Sequence, residues 1–424
     1  MSFRSLYTVV LWLLLPYIFI RLLWRARKQP EYLLHIAERF GFYTYRSDKP
    51  VIWLHAVSVG ETRAAQSLIA NLQNSYPDHQ ILLTHTTPTG RTTSEQLYGN
   101  TIVRAYLPYD YPFAVSRFLR CFNPQIGILM ETEIWFNLVH ICHKSNTPLL
   151  LLNARMSYKS ERGYARFAQL TIEALTSLTH VAAQTSDDAS RLARLGAKNV
   201  SVMGNLKFDI DPPAAMLNLG QHFREQIGAT RRILLAASTR EGEESLILDA
   251  LSPLNFLDVL LVIVPRHPQR FTEVAQLLDQ RNIPYQRRSE NHPILKETKV
   301  VLGDSMGEMF AYFAAADFAF IGGSLLPYGG QNLIEACAVG TPVIVGPHTY
   351  NFAEVTRLAI IAGAAIQVEN INALVTQLQK ILNYPISLSN NRRQCMDFVQ
   401  LNRGATEKAM QIIKSSLTKG VGPN

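Results

Sequence analysis

Cysteine is scarce in this 424-residue chain: Cys121, Cys142, Cys337 and Cys395 lie far apart, with no Cys-x-x-Cys pair and no zinc-type spacing to a histidine. A disulfide framework and most structural zinc sites are thereby excluded, and the four thiols read as small reduced hydrophobes. Charge is sparse as well, 17% of residues against 47% apolar, so enough hydrophobic surface exists to offset the entropy of ordering, and wholesale disorder is excluded. No internal repeat or low-complexity tract fills the length, which at ~150 residues per domain predicts two or three domains. The Walker P-loop spacing and the dinucleotide fingerprint are both missing. So is a Gly-x-Ser-x-Gly elbow, which leaves Ser-His-Asp chemistry without support.

What is present is unevenly charged. The formal net charge is +8, and residues 1–50 hold eight basic groups (Arg4, Arg21, Arg25, Arg27, Lys28, Arg39, Arg46, Lys49) against three acidic ones (Glu31, Glu38, Asp48). Nucleic-acid binding would need Lys and Arg massed on a folded face with interleaved aromatics, whereas this cluster adjoins an apolar stretch. A membrane surface is the better partner, and no nucleic-acid partner is expected. Between Arg4 and Arg21 no residue is charged, and the apolar run continues past Arg21 through Leu22, Leu23 and Trp24. At ~1.5 Å per residue, one helix over positions 5–24 covers ~30 Å, about the hydrocarbon thickness. Arg21 is near enough to the end to snorkel, and Trp24 marks the interface. No small-x-small cleavage site follows. Arg25, Arg27 and Lys28 come instead, and by the positive-inside tendency they hold that end, and with it the body, in the cytoplasm. Pro16 leaves a second reading open, a kinked monotopic helix lying partly in the leaflet.

Beyond the anchor, short apolar runs alternate with amphipathic stretches. Strand-like runs occupy 51–55, 81–84, 126–130, 148–152, 180–183 and 200–203, with helices over 61–72 and 92–97. All-apolar strands separated by helices imply a parallel sheet covered on both faces. The pattern stops around 208–213, where Pro212 and Pro213 forbid both helix and interior strand. It resumes at 233–237, 257–264, 299–302, 318–321 and 342–345. The expected fold class is α/β, two doubly wound Rossmann-like domains facing across a cleft, with an N-terminal membrane helix. The expected boundaries are an anchor with basic flank over 1–28, a first domain over 29–208, a linker over 209–230, a second domain over 231–412 and a frayed tail over 413–424. Open parallel sheets bind ligands at the carboxyl ends of their strands, so motifs that follow a strand deserve weight.

Most do follow one. In His55-Ala56-Val57-Ser58-Val59-Gly60-Glu61 a strand end leads through a small-residue turn to a carboxylate opening a helix. Glu61 is either a reactive group or a first-turn glutamate satisfying the dipole. Met130-Glu131-Thr132-Glu133-Ile134-Trp135 puts Glu131 at a strand's carboxyl end, with Glu133 pointing elsewhere if the backbone stays extended; a polar rim with a buried Trp135 is the alternative. Carboxylates from separate loops can polarise a hydroxyl. Pro265-Arg266-His267-Pro268 follows the strongest strand and offers an arginine fork and an imidazole to phosphate oxygens. The glycine turn at 303–309 suggests close approach of a ligand, and the glycines at 322–324 and 328–336 lead into a helix whose N–H groups can face an anion while Glu335 accepts from ribose hydroxyls, a glycine-rich structural turn being the alternative. Asp209-Ile210-Asp211 imitates a metal motif but lies in the Pro-rich linker, so no metal is expected.

Taken together, the anchor, the motifs at 55–61, 130–135, 265–268 and 329–335, and Gly204-Asn205-Leu206-Lys207-Phe208-Asp209 resemble the bacterial 3-deoxy-D-manno-octulosonic acid (Kdo) transferases along essentially the whole chain. The resemblance implies an inverting, metal-independent glycosyltransferase of two-Rossmann (GT-B) architecture, moving Kdo from CMP-Kdo to the lipid A precursor at the cytoplasmic face of the inner membrane. It implies no cofactor, CMP-Kdo being the donor substrate. The family's general base maps onto Glu61, its transition-state groups onto Glu131 and Lys207. Its CMP contacts map onto Pro265, Arg266 and His267, onto Met306, Gly307 and Glu308, and onto Asn332, Leu333, Ile334 and Glu335. An epimerase on the same plan and a non-catalytic membrane-tethered nucleotide sensor are the rival readings.

Overall fold

The computed structural model describes residues 3–45, 48–228, 231–252, 259–383 and 386–420. Two positions of the expected strands, Leu257 and Asp258, lie outside them, as do Arg46 and the tail residues 421–424. The chain divides into two compact units, Met1–Asp209 with Arg403–Asn424, and Ile210–Asn402.

The first unit is built on seven parallel strands: β1 (Val51–His55), β2 (Gln80–His85), β3 (Val103–Tyr106), β4 (Pro124–Met130), β5 (Leu149–Ala154), β6 (His180–Ala183) and β7 (Val200–Val202), in the order β3-β2-β1-β4-β5-β6-β7. Helices cover both faces, so the central strands are buried along their length and can be continuous Val, Ile and Leu. All five residues of β1 and all six of β5 are buried. The second unit repeats the plan with β8 (Arg232–Thr239), β9 (Val259–Pro265), β10 (Tyr285–Arg287), β11 (Val300–Leu302), β12 (Phe318–Ile321), β13 (Val343–Val345) and β14 (Ala365–Gln367), ordered β10-β11-β9-β8-β12-β13-β14. The direction of winding reverses between β1 and β4 in one sheet and between β8 and β12 in the other. At such switch points the strand-end loops diverge and open a crevice.

The expected linker over 209–230 belongs with the second unit from Ile210 onward and carries a helix, Ala214–Ile227. Two expectations at the chain's ends are also corrected. The single helix over 5–24 is a pair, Phe3–Leu13 and Leu15–Ala26, bent by 50° at Leu14. Pro16 has no N–H to continue the ladder and sits at the start of the second helix, where proline is tolerated. Among the described residues no single helix is long and apolar enough to cross a membrane. The first helix is docked on its unit: the Tyr7 hydroxyl donates to Asp110 (3.0 Å), the Tyr111 hydroxyl to the Leu11 carbonyl (2.7 Å), and Trp12 stacks on Phe113. Its other face is bare, with Leu13 75% and Ile20 of the second helix 65% exposed.

The second correction lies at the far end. Residues 403–412 belong with the first unit rather than the second, and positions 413–420 are the end of an ordered helix, Ala405–Gly420, rather than frayed. Ala405, Ala409 and Ile413, spaced by four, form one face and are fully buried in the core of the first sheet. Asp209 is what fastens this helix: its carboxylate accepts from the Gly404 N–H (2.7 Å) and the Thr406 N–H. The metal-like Asp209-Ile210-Asp211 therefore contains a helix cap. Among the described residues no group of three or more His, Cys, Asp or Glu is placed to hold a metal ion.

Candidate active site

In the first unit the chemistry gathers at the switch point. β1 ends at His55, and the turn after it enters the Val59–Ala64 helix with Ser58 as N-cap. Glu61 is the third residue of that helix, and the cap is reciprocal. The Glu61 N–H donates to Ser58 Oγ (3.4 Å), the Ser58 hydroxyl donates to Glu61 Oε1 (2.8 Å), and the Val57 N–H donates to Oε2 (2.9 Å). Both oxygens are thus held, yet each retains acceptor capacity. The first-turn reading and the reactive reading describe one carboxylate. Glu61 is 8% exposed, and burial pushes its carboxyl up to about 7. Repulsion from Glu131 adds to this, and the bonds from Val57 and Ser58 oppose it.

Glu131 follows β4 on the other side of the switch point and has φ 59, a left-handed backbone that a β-carbon disfavours. Arg155 N–H donates to its carbonyl (3.4 Å), while its side chain meets Lys207 Nζ at 3.5 Å. Lys207 arrives on the loop after β7, and Asn153 positions that loop. Buried at the end of β5 with φ 54, Asn153 accepts the Leu206 N–H on Oδ1 (3.1 Å). The backbone does not stay extended past Glu131, so the condition for Glu133 to point elsewhere is not met; its carboxylate accepts from the indole of a half-buried Trp135 (2.8 Å) and still adds to the repulsion on Glu61. Glu61, Glu131 and Lys207, far apart in sequence, thus form one cluster of an acid held near neutrality beside an ion pair.

The second unit carries the candidate nucleotide contacts on adjoining strand ends. β11, β9, β8 and β12 are neighbours, so the loops that follow them lie side by side. After β9, the Arg266 N–H donates to the Thr239 carbonyl at the end of β8 (3.0 Å). Burial, then the charges of Arg240, Arg266 and Arg270, lower the His267 pKa, which favours the neutral ring. After β11, Gly307 takes φ 82 and Met306 is exposed, but the Glu308 carboxylate is occupied by Arg288 (3.2 Å) and the Ser305 hydroxyl (2.5 Å). After β12, Gly330 N–H donates to Gly323 (2.6 Å), which ties 328–335 onto 322–324. Asn332 Oδ1 accepts the Ile334 N–H and its amide donates to Glu335 (both 3.1 Å). Leu333 and Ile334 are buried, so only their backbone can meet a ligand. The helix that follows, Ile334–Ala338, has five residues, too short for the dipole argument made from its sequence.

Three residues that shape these clusters were not singled out by their motifs: Asn153, Arg240 and Glu243. Glu243 is fully buried and accepts N–H groups from Gly323 (2.6 Å), Leu325 (3.0 Å) and Arg240 (2.9 Å), stapling the β8 and β12 loops together. A signal existed, because 238–244 follows the apolar run 233–237 as the other motifs follow theirs. Asn153 gave none beyond its place at a strand end.

Comparison with known proteins bears on the family and the fold. Residues 34–210 match the family described as 3-Deoxy-D-manno-octulosonic-acid transferase (kdotransferase), and residues 245–397 match Glycosyl transferases group 1. The chain is 42% identical to the 3-deoxy-D-manno-octulosonic acid transferase of Bordetella pertussis, over 98% of this chain and 99% of that one. It is 36% identical to the protein of the same name from Haemophilus influenzae, over 99% and 100%. A glycosyltransferase structure from Rickettsia africae shares the fold, with a TM-score of 0.57 at 15% identity over 88% of this chain and 99% of that one. With two doubly wound parallel sheets of GT-B type and full-length relatives above 30% identity, the chain is a glycosyltransferase and belongs to the 3-deoxy-D-manno-octulosonic acid transferase family.

Proposed function

We propose that the protein transfers Kdo from CMP-Kdo to the lipid A precursor with inversion at the anomeric carbon, Glu61 acting as general base. The acceptor hydroxyl attacks that carbon from the face opposite CMP. Its proton passes to the Glu61 carboxylate as the new C–O bond forms, and the bond to the phosphate oxygen breaks with its electrons, releasing CMP. The carrying observation is the Glu61 carboxyl, oriented by Ser58 and Val57 and raised to about 7, close to the pH at which it must accept a proton. Glu131 and Lys207 assist the transition state, and Arg266, His267 and the loops at 306–308 and 332–335 hold CMP. These cations and backbone N–H groups take the place of a divalent ion, so turnover in EDTA is expected to stay within about twofold of the untreated rate.

The bent pair 3–26 serves as a monotopic anchor, its exposed Leu13, Ile20, Leu23 and Trp24 entering one leaflet while Arg21, Arg25, Arg27 and Lys28 meet anionic headgroups at the cytoplasmic face of the inner membrane. The deciding experiment incubates detergent-solubilised protein with CMP-Kdo and tetra-acylated lipid A precursor. A Kdo-bearing glycolipid of inverted anomeric configuration supports the reading; free-sugar conversion without glycolipid, or binding without turnover, overturns it.

A further inference from the structure

Of the four adjoining strand ends in the second unit, three carry the nucleotide contacts named above and the loop after β8 carries none, although it lies at the switch point between β9 and β12. That loop holds Arg240. Its guanidinium lies 4.6 Å from the centre of the Tyr328 ring, and the Tyr328 hydroxyl donates to the Glu241 carbonyl (3.2 Å), fixing the ring that it stacks on. Its stem crosses Gly323, which has φ 70 and where a β-carbon would stand 3.4 Å from Arg240 Cγ. Its backbone N–H is anchored on the buried Glu243. Among the described residues no carboxylate lies within ion-pair distance of this guanidinium. Arg270, by contrast, is consumed by Glu244 (2.6 and 3.0 Å) and Glu273 (3.2 Å). A stacked, braced and uncompensated arginine at a strand-end crevice is prepared for an anion.

The donor assigned under the proposed function, on which this inference rests, carries two anionic groups. One is its phosphodiester, assigned above to Arg266 and His267 on the loop after β9. The other is the carboxylate on the carbon that reacts. We propose that Arg240 binds that carboxylate and thereby selects an acidic donor sugar over a neutral one. The test compares Arg240→Gln and Arg240→Lys with wild type in two readouts, the KM for CMP-Kdo and the inhibition constant of CMP, which has the phosphate but no sugar carboxylate. Loss of one charge-assisted fork is expected to lower kcat/KM for CMP-Kdo by about 10- to 100-fold in Arg240→Gln. Arg240→Lys, which keeps the charge but not the fork, is expected to fall between. In both, inhibition by CMP should stay within about twofold of wild type, which also reports an intact fold. Equal weakening of CMP and CMP-Kdo would move Arg240 to the phosphate and overturn the assignment, as would unchanged kinetics. Should Arg240→Gln not fold, Tyr328→Leu, which releases the guanidinium without removing it, is expected to lower kcat/KM several-fold at unchanged CMP inhibition, and no change there overturns the proposal. A wild-type protein that makes no Kdo-bearing glycolipid would fail the proposed function itself, a separate outcome.

Discussion

Glu61 stands where hydrogen bonds from the Val57 N–H and the Ser58 hydroxyl favour a carboxylate and where burial disfavours one, and the balance leaves its carboxyl near 7. Two expectations follow. As a base it works only when ionised, so kcat/KM should fall about tenfold per pH unit below ~7 and level off above it in a pH–rate profile. Stability runs the other way. The folded pKa of about 7 lies above the ordinary value of 4.5, so the group stabilises the fold fully below about 4.5, and that contribution is lost as pH rises through 7. Glu61→Gln, which cannot ionise, should therefore gain stability relative to wild type across this window, by an amount on the order of 3 kcal/mol at its upper end. Thermal unfolding of both proteins at pH 5 and pH 8 measures it, and a gap that does not widen with pH contradicts the burial argument. The sequence placed Glu61 at the turn but not its pKa, because that comes first from burial in the folded unit and then from repulsion by Glu131, which the pairing of β1 with β4 brings near.

At the scale of elements, the strands that sequence reading found are those buried on both faces, which must be continuous apolar runs, together with the edge strand β7, which keeps two valines. The ones it missed, β3, β10 and β14, are edge strands reading VRAY, YQR and AIQ. An edge has one neighbour and tolerates polar residues, so it need not carry the signal. The bend at Leu14 was legible in Pro16, whereas the docking of the first helix was not, because its partner Asp110 lies 103 positions from Tyr7. Deleting residues 1–28 is expected to shift the protein from the membrane to the soluble fraction on carbonate extraction while inhibitory CMP binding is retained. Continued sedimentation with vesicles would place the membrane contact elsewhere.

At the scale of the molecule, the chain builds one unit, then the other, and returns to the first with its last helix. Length and the proline pair announced two domains, but the return was hidden. The Ala405, Ala409 and Ile413 face is thin, and its cap, Asp209, precedes it by nearly half the chain. Ile413→Ala should cost about 2–5 kcal/mol, read as a lower unfolding temperature of the first unit, with the second unit unaffected. If instead the second unit is destabilised, the helix belongs there. The most direct measurement is turnover of Glu61→Gln with CMP-Kdo and lipid A precursor at pH 8, beside its inhibition by CMP. Loss of a general base predicts transfer reduced by about 10²- to 10⁴-fold with CMP inhibition at the wild-type level. Transfer at a near-wild-type rate would contradict the role given to this carboxylate.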